Sequence, residues 1–124
     1  MRRPLVALAV VGSLAGCGDD GPAEVDGLPV VDGAPEITVE ADDFAFVPDR
    51  IELTAGEAAN IVLVSVGGGH NLGIADGDFL LPIVDEGEQT RGALTIDEPG
   101  TYEMVCTVPG HLEQGMRGTV VVAA

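Results

Sequence analysis

The chain has 124 residues, which leaves room for one domain of about 90 residues once a leader and a linker are set aside. Eighteen glycines, eight prolines and many β-branched residues, with no apolar stripe at helical spacing, favour an all-β protein over a helical one. Five arginines and no lysine against 21 acidic residues give a formal net charge of -16, which argues against binding to nucleic acid or to an anionic membrane surface by charge.

Three explanations for the acidity remain open. Adaptation to high salt, a genomic preference for arginine over lysine, or complementarity to a basic partner protein would each produce it. The acidic residues are spread along the chain and do not form one block, which favours the first two explanations.

The first 17 residues have the pattern of an export signal. Arg2 and Arg3 precede an apolar stretch from Leu5 to Leu14, and the segment ends in L-A-G-C at Cys17. A basic region followed by a short apolar region describes a secretory leader that is too short for a membrane span. L-A-G-C resembles the bacterial lipobox, which implies that 1–17 is a lipoprotein signal peptide and that Cys17 is retained and lipidated. The chain is then exported and anchored on the extracytoplasmic, periplasmic face of the cell membrane. A plain signal peptide or a simple N-terminal anchor is the alternative.

Residues 18–35 are rich in Gly, Pro and Asp. Such a segment buries too little apolar surface to offset its ordering entropy. It is therefore predicted to be a flexible acidic linker, whose 18 residues span at most about 60 Å when extended. The alternative is that Leu28 to Val31 adds an edge strand to the domain.

The domain is predicted to span residues 36–124 and to consist of short strands. Alternating apolar residues mark a strand from Glu36, and two further short runs follow Phe44, separated near Pro48. Residues 58–66 form the longest apolar run and predict a central strand buried on both faces. An acidic excursion is expected over residues 75–88, then a strand over 89–96, a turn over 97–100, and two strands around the last loop. The total is seven or eight strands, which fits a sandwich or a Greek-key barrel.

The last loop carries the residues that bind soft metals. Cys106, His111 and Met116 are separated by four residues at each step. Thiolate and thioether suit Cu(I), imidazole suits Cu(II), and two histidines with a cysteine and a weak axial methionine make a blue-copper electron-transfer centre. The chain has one other histidine, His70, which follows three glycines at the end of the long apolar run. The pattern predicts one copper site at His70, Cys106, His111 and Met116.

Each of these residues also has an ordinary structural explanation. A buried cysteine or methionine is usually part of the core, and Met104, two residues before Cys106, is interpreted in that way. Glu113 is interpreted as a solvated surface charge. A catalytic thiol paired with a histidine would leave Met116 and the other histidine without a role. A disulfide between Cys17 and Cys106 would require Cys17 not to be lipidated.

Residues 36–124 resemble the cupredoxins, the small blue copper proteins related to plastocyanin and azurin. The resemblance is carried by His70 with Asn71, and by the later Cys106, His111 and Met116; the flanking sequences P-G-H and G-M-R-G-T-V agree as well. It implies a Greek-key β-sandwich that holds one type 1 copper ion at one end. The spacing from Cys to His is similar to azurin and that from His to Met to plastocyanin, and the acidic, lipid-anchored form is similar to halocyanins.

Three further residues are expected to position the ligands. Pro109 restricts φ within the loop, and Asn71 is expected to tie the two ligand-bearing segments together through its side-chain amide. The resemblance to azurin implies that the carbonyl of Gly69 approaches the metal.

The resemblance implies a single-electron carrier between larger redox proteins, such as a cytochrome, an oxidase or a reductase, and no enzyme activity of its own. His111 is expected to be the ligand nearest to solvent, with Val108, Pro109, Leu112 and Leu72 forming an apolar docking patch around it. A copper-binding or copper-delivery protein is the alternative. A copper enzyme is disfavoured because both histidines of the chain are used by one site.

Overall fold

The computed structural model describes residues 21–124, so the predicted signal peptide and Cys17 lie outside the described residues. Two five-stranded sheets contain ten strands and enclose one core. The strands are β1 (Ala23–Glu24), β2 (Glu36–Asp42), β3 (Ala45–Val47), β4 (Arg50–Thr54), β5 (Ala59–Ser65), β6 (His70–Ile74), β7 (Leu80–Val84), β8 (Glu88–Leu94), β9 (Gly100–Val105) and β10 (Arg117–Ala123). The prediction of an all-β sandwich is confirmed.

Both sheets contain parallel and antiparallel pairs, and the strand order places the segments that carry the predicted ligands side by side. One sheet runs β1-β8-β5-β2-β3 and the other runs β4-β10-β9-β6-β7. Parallel pairing joins β2 to β5 and β4 to β10, whereas β9 and β10 form an antiparallel pair around the last loop. Because β6 pairs with β9, the segment that begins at His70 lies beside the strand that ends at Val105.

Burial patterns account for where each strand lies. In β4, Ile51 and Leu53 are buried and their neighbours are exposed, as expected of a strand with one face towards solvent. In β5 six of the seven residues are buried, which confirms the prediction of a central strand. The core is mostly aliphatic, and Met104 is completely buried in it, as predicted. Among residues 21–124 no helix has the length and apolarity of a membrane span.

The prediction of seven or eight strands was too low. Ten strands are present among the described residues, including the short β1 and β3. The segment predicted as an acidic excursion over 75–88 contains β7, which pairs with β6 at the edge of its sheet. Pro82 lies within β7, at a position that an edge strand can tolerate because one side has no ladder partner.

Residues 21–35, here called the strap, depart from the prediction of a flexible linker over 18–35. The strap follows the outer edge of β8: Ala23 N donates to Gly87 O at 2.9 Å, and Val25 N donates to Gln89 O at 2.7 Å. Further along, Leu28 N donates to the carbonyl of Arg91 at 3.0 Å, although Leu28 to Val31 is not itself a strand. The physical reason is that the edge of β8 offers unpaired backbone groups, which the composition of the strap does not reveal.

Side chains reinforce the strap at both ends. Glu24 accepts hydrogen bonds from Gln89 Nε2 at 2.9 Å and from Arg91 Nε at 3.1 Å. The Gln89 hydrogen bond, helped by Arg91, holds the pKa of Glu24 below its ordinary value, although partial desolvation opposes the change. A lowered pKa in the folded state means that this contact stabilises the fold above the unfolded pKa and is lost as the pH falls through the folded one.

Asn60, at the start of β5, binds the other end of the strap. Its Nδ2 donates to Val31 O at 2.8 Å, and its Oδ1 accepts from Val31 N at 2.9 Å. Asn60 is 8% exposed, so these two bonds replace water on both sides of its amide.

Replacing Asn60 with alanine is expected to lower the free energy of unfolding by about 1–3 kcal/mol, because two partly buried hydrogen bonds are lost. Urea unfolding of the metal-free protein would measure this loss. The exposed Thr38→Ala on the neighbouring strand is the control and should change stability by no more than about 0.5 kcal/mol. Equal stability of the two variants would show that the strap is not held through Asn60.

Candidate metal centre

Two segments supply the four predicted ligands. His70 is the first residue of β6, and the other three lie on the loop between β9 and β10. Cys106 and Met116 are at the base of that loop, where Cys106 N donates to Met116 O at 3.3 Å. The antiparallel pairing of Val105 with Arg117 continues the ladder directly below them. The hairpin therefore brings the thiol and the thioether to the same end of the sheet.

The nitrogen and sulfur atoms of the site lie close together. One ligand atom each from His70, Cys106 and His111 lie within 4.8 Å of one another. Cys106 Sγ is 3.5 Å from His111 Nδ1, and the two imidazole rings have centroids 5.0 Å apart. His70, Cys106 and Met116 are completely buried, whereas His111 is half-buried. The arrangement has one ligand at the surface and three inside.

The orientation of His70 leaves one ring nitrogen for a metal. Nε2 is 2.6 Å from Gly67 O, which fits a donated hydrogen bond and places the proton on that nitrogen. Nδ1 is buried and has no hydrogen-bond partner among residues 21–124. A buried nitrogen without a partner is costly unless something else binds it. A metal ion between His70 Nδ1, Cys106 Sγ and His111 Nδ1 would satisfy it, so the residues fit copper.

The loop itself is compact. His111 N donates to Val108 O at 3.0 Å, and Met116 N donates to His111 O at 3.1 Å. A single 3-10 turn, Leu112–Gln114, lies between them and ends at Gly115 with φ of 96°. Gly110 has φ of 87°. Both angles fall where side chains are disfavoured, so glycine at these positions allows the loop to close around His111.

Comparison with known proteins identifies the family. Residues 34–123 match the family model of copper binding proteins, plastocyanin/azurin family. The chain belongs to this family. It is 30% identical over 101 aligned positions to plastocyanin from Dryopteris crassirhizoma, and the match covers 70% of this chain and 96% of the relative.

Solved structures show the same fold. Auracyanin B superposes with a TM-score of 0.67 at 22% identity, covering 86% of this chain and all of the other. The dithionite-reduced auracyanin from Roseiflexus castenholzii superposes with a TM-score of 0.68 at 20% identity, covering 74% of this chain and all of the other. This cupredoxin therefore has its His70, Cys106, His111 and Met116 arranged as a type 1 copper site.

Asn71 links the two segments that carry the ligands. Its Nδ2 donates to Thr107 Oγ1 at 2.8 Å, and Thr107 N donates to its Oδ1 at 2.7 Å. The side-chain amide of the residue after His70 is thus joined to the residue after Cys106 by two hydrogen bonds. Thr107 was not singled out from the sequence, because an exposed threonine in a loop carries no signal of its own.

The turn between β2 and β3 covers the metal end and was also missed. Phe44 makes an edge contact with His111, with ring centroids 5.1 Å apart and planes at 75°. Asp43 Oδ1 lies 3.4 Å from His70 Nε2. Spacing along the chain does not mark either residue, because the contacts arise only when the turn folds over the two histidines.

Other predicted site residues have different environments. Val108 and Leu112 are half-buried and Pro109 is exposed, all close to His111 in the loop. Leu72 is completely buried, so its placement in the docking patch was wrong: its side chain faces the core from β6. Gly69 has little room, since a Cβ there would lie 3.0 Å from Asp85 Oδ1. The approach of its carbonyl to the metal stays a prediction.

Replacing Asp43 with asparagine is expected to raise the reduction potential of the copper site. A carboxylate beside a ligand favours the more positive Cu(II) ion, although its 55% exposure makes the effect modest. Potentiometric titration followed at the blue band would measure the change. Asp97→Asn removes the same charge from an exposed position away from the site. Equal shifts in the two variants would mean that only the net charge matters.

Proposed function

We propose that this cupredoxin is a membrane-anchored carrier of single electrons on the extracytoplasmic side of the cell. The observation that carries the proposal is the contrast within the site: three ligands are completely buried, and His111 alone reaches towards solvent. Copper bound there supplies a one-electron redox couple. The protein supplies a fixed set of ligands and a single exposed edge.

Rigidity is what the surrounding residues contribute. Copper prefers different geometries in its two oxidation states, so a site that cannot rearrange lowers the structural cost of each electron transfer. Asn71 holds the two ligand-bearing segments together, and the Cys106–Met116 backbone bond closes the loop. His70 is held by the carbonyl of Gly67. These bonds keep the ligands in place whether the metal is oxidised or reduced.

Electrons are proposed to pass through the edge of His111. Val108, Pro109 and Leu112 lie beside it in the loop, and the structure adds Phe44, which is 38% exposed and contacts the His111 ring. These four residues are here called the docking patch. A small apolar patch suits brief contact with another redox protein, such as a cytochrome, an oxidase or a reductase.

Anchoring is proposed through a lipid on Cys17. The support is the L-A-G-C sequence after a basic and apolar leader. The chain is proposed to be a carrier and not an enzyme because its two histidines are both ligands, which leaves none for a second copper site.

The Cys106→Ser variant tests the copper site. With copper added, the protein should show an intense blue thiolate-to-copper band and narrow copper hyperfine splitting, both bleached reversibly by a reductant. The variant should lose both, because the thiolate is the donor for that band. Ordinary weak Cu(II) signals that survive the substitution would contradict electron transfer, and ready loss of Cu(I) to a chelator would favour copper delivery instead.

The Leu112→Glu variant tests the docking patch. We expect its electron exchange with a redox partner to slow on the order of tenfold, as a loss of about 1.4 kcal/mol in docking free energy would produce. The copper spectrum should stay unchanged. Stopped-flow kinetics would measure the rate, and Leu80→Glu, at a leucine 45% exposed on β7, is the matched control. Equal rates in both variants would exclude this patch as the docking surface.

A further inference from the structure

The strap begins at the copper end of the domain. Ala23 N donates to Gly87 O at 2.9 Å, and Gly87 N in turn donates to Ser65 O at 3.0 Å. Ser65 Oγ donates to the carbonyl of Gly68, two residues before the ligand His70. Val84, just before the turn that contains Gly87, pairs directly with His70. The chain therefore joins the fold beside the segment that carries the first ligand.

From there the strap runs away from the copper site. It starts parallel to β8, with Ala23 opposite Glu88. The far end of β8 is Leu94, which pairs with Ala59 at the start of β5, opposite the copper end at Ser65. The strap reaches the same far end, where Val31 is bound by Asn60. Only its first residues are near the copper site.

Several contacts hold the strap along this path. Arg91 on β8 forms ion pairs with Glu24 of the strap at 3.1 Å and with Glu36 at the start of β2 at 3.0 Å. Val25 packs against the core, and Ala93 N donates to Pro29 O at 2.8 Å. Because the contacts recur from Ala23 to Val31, the strap behaves as part of the domain and adds no slack to the chain before it.

The stretch of sequence between the predicted anchor and the fold is short. Six residues lead from Cys17 to Ala23, a distance of at most about 20 Å when fully extended. A seven-residue strand such as β5 is itself about 23 Å long. Because this stretch is attached at the copper end and is shorter than the domain, the domain cannot orient its opposite end towards the membrane with the copper site pointing away from it.

We propose that, because the strap is fixed to the domain, the short chain before it tethers the copper end of this protein towards the membrane surface, so that its redox partner presents its own centre close to the bilayer. This rests on the proposed anchoring through Cys17. The copper end carries exposed apolar side chains that suit such a protein partner: Phe44 at 38%, Val66 at 46% and Ile83 at 52% exposed. The net charge of -16 disfavours contact with anionic headgroups themselves.

A pair of labelled variants tests the orientation. Glu86→Cys places a fluorophore in the turn that receives the strap, and Glu57→Cys places one in the turn before β5, at the far end. Both positions are exposed, both substitutions remove one charge, and Cys106 is buried. The lipidated, copper-loaded proteins are bound to phosphatidylcholine vesicles with and without a headgroup-attached quencher. Comparing the two vesicle types cancels any quenching by copper.

We expect the label at position 86 to be quenched several-fold more than the label at position 57. Inserting twelve Gly and Ser residues between Asp20 and Gly21 should reduce the difference, because the tether then exceeds the length of the domain. Equal quenching at both positions, or stronger quenching at 57, would overturn the proposal. Protein that stays in the supernatant when the vesicles are sedimented would overturn it differently, by showing that the anchor is absent.

Discussion

The backbone hydrogen bond between Cys106 and Met116 is the constraint on which the metal centre depends. It closes the loop between β9 and β10 at its base, so two ligands ten residues apart in sequence become neighbours. The ladder between β9 and β10 sets the register of this bond, with Val105 opposite Arg117. The relative positions of these ligands therefore depend on the pairing of strands in the sheet. The core between the two sheets stabilises that pairing.

A second connection brings in the remaining ligand. His70 lies on β6, which pairs with β9 further from the site, and the Asn71 amide bridges the gap to Thr107 through two hydrogen bonds. The loop therefore receives support from its own hairpin and from the neighbouring strand. This double support fits a centre whose ligands must stay in place when the charge on the metal changes.

The strap shows how a segment that lacks a core of its own can become ordered. Its composition is that of a linker, and it folds only because β8 leaves an open edge and because Arg91 and Asn60 offer partners for charge and backbone. Covering the edge of β8 also protects the sheet from pairing with other chains. The consequence is that the chain joins the fold beside the segment that carries His70.

The sequence by itself determined the chemistry of the site and the class of fold. The identity of a ligand is a local property of a side chain, and His70, Cys106, His111 and Met116 were recognisable as a copper set before any fold was known. Alternating burial in β4 and continuous burial in β5 follow from hydrophobic periodicity, which is also local.

Only the tertiary structure decided the contacts between distant segments. The placement of Phe44 against His111 and of Asp43 beside His70 depends on how the turn between β2 and β3 folds over the loop. Leu72 was predicted at the surface, and the strap was predicted to be flexible. Both depend on which face or edge of a sheet is covered by another part of the chain, and the pattern of residues along a single segment does not contain that information.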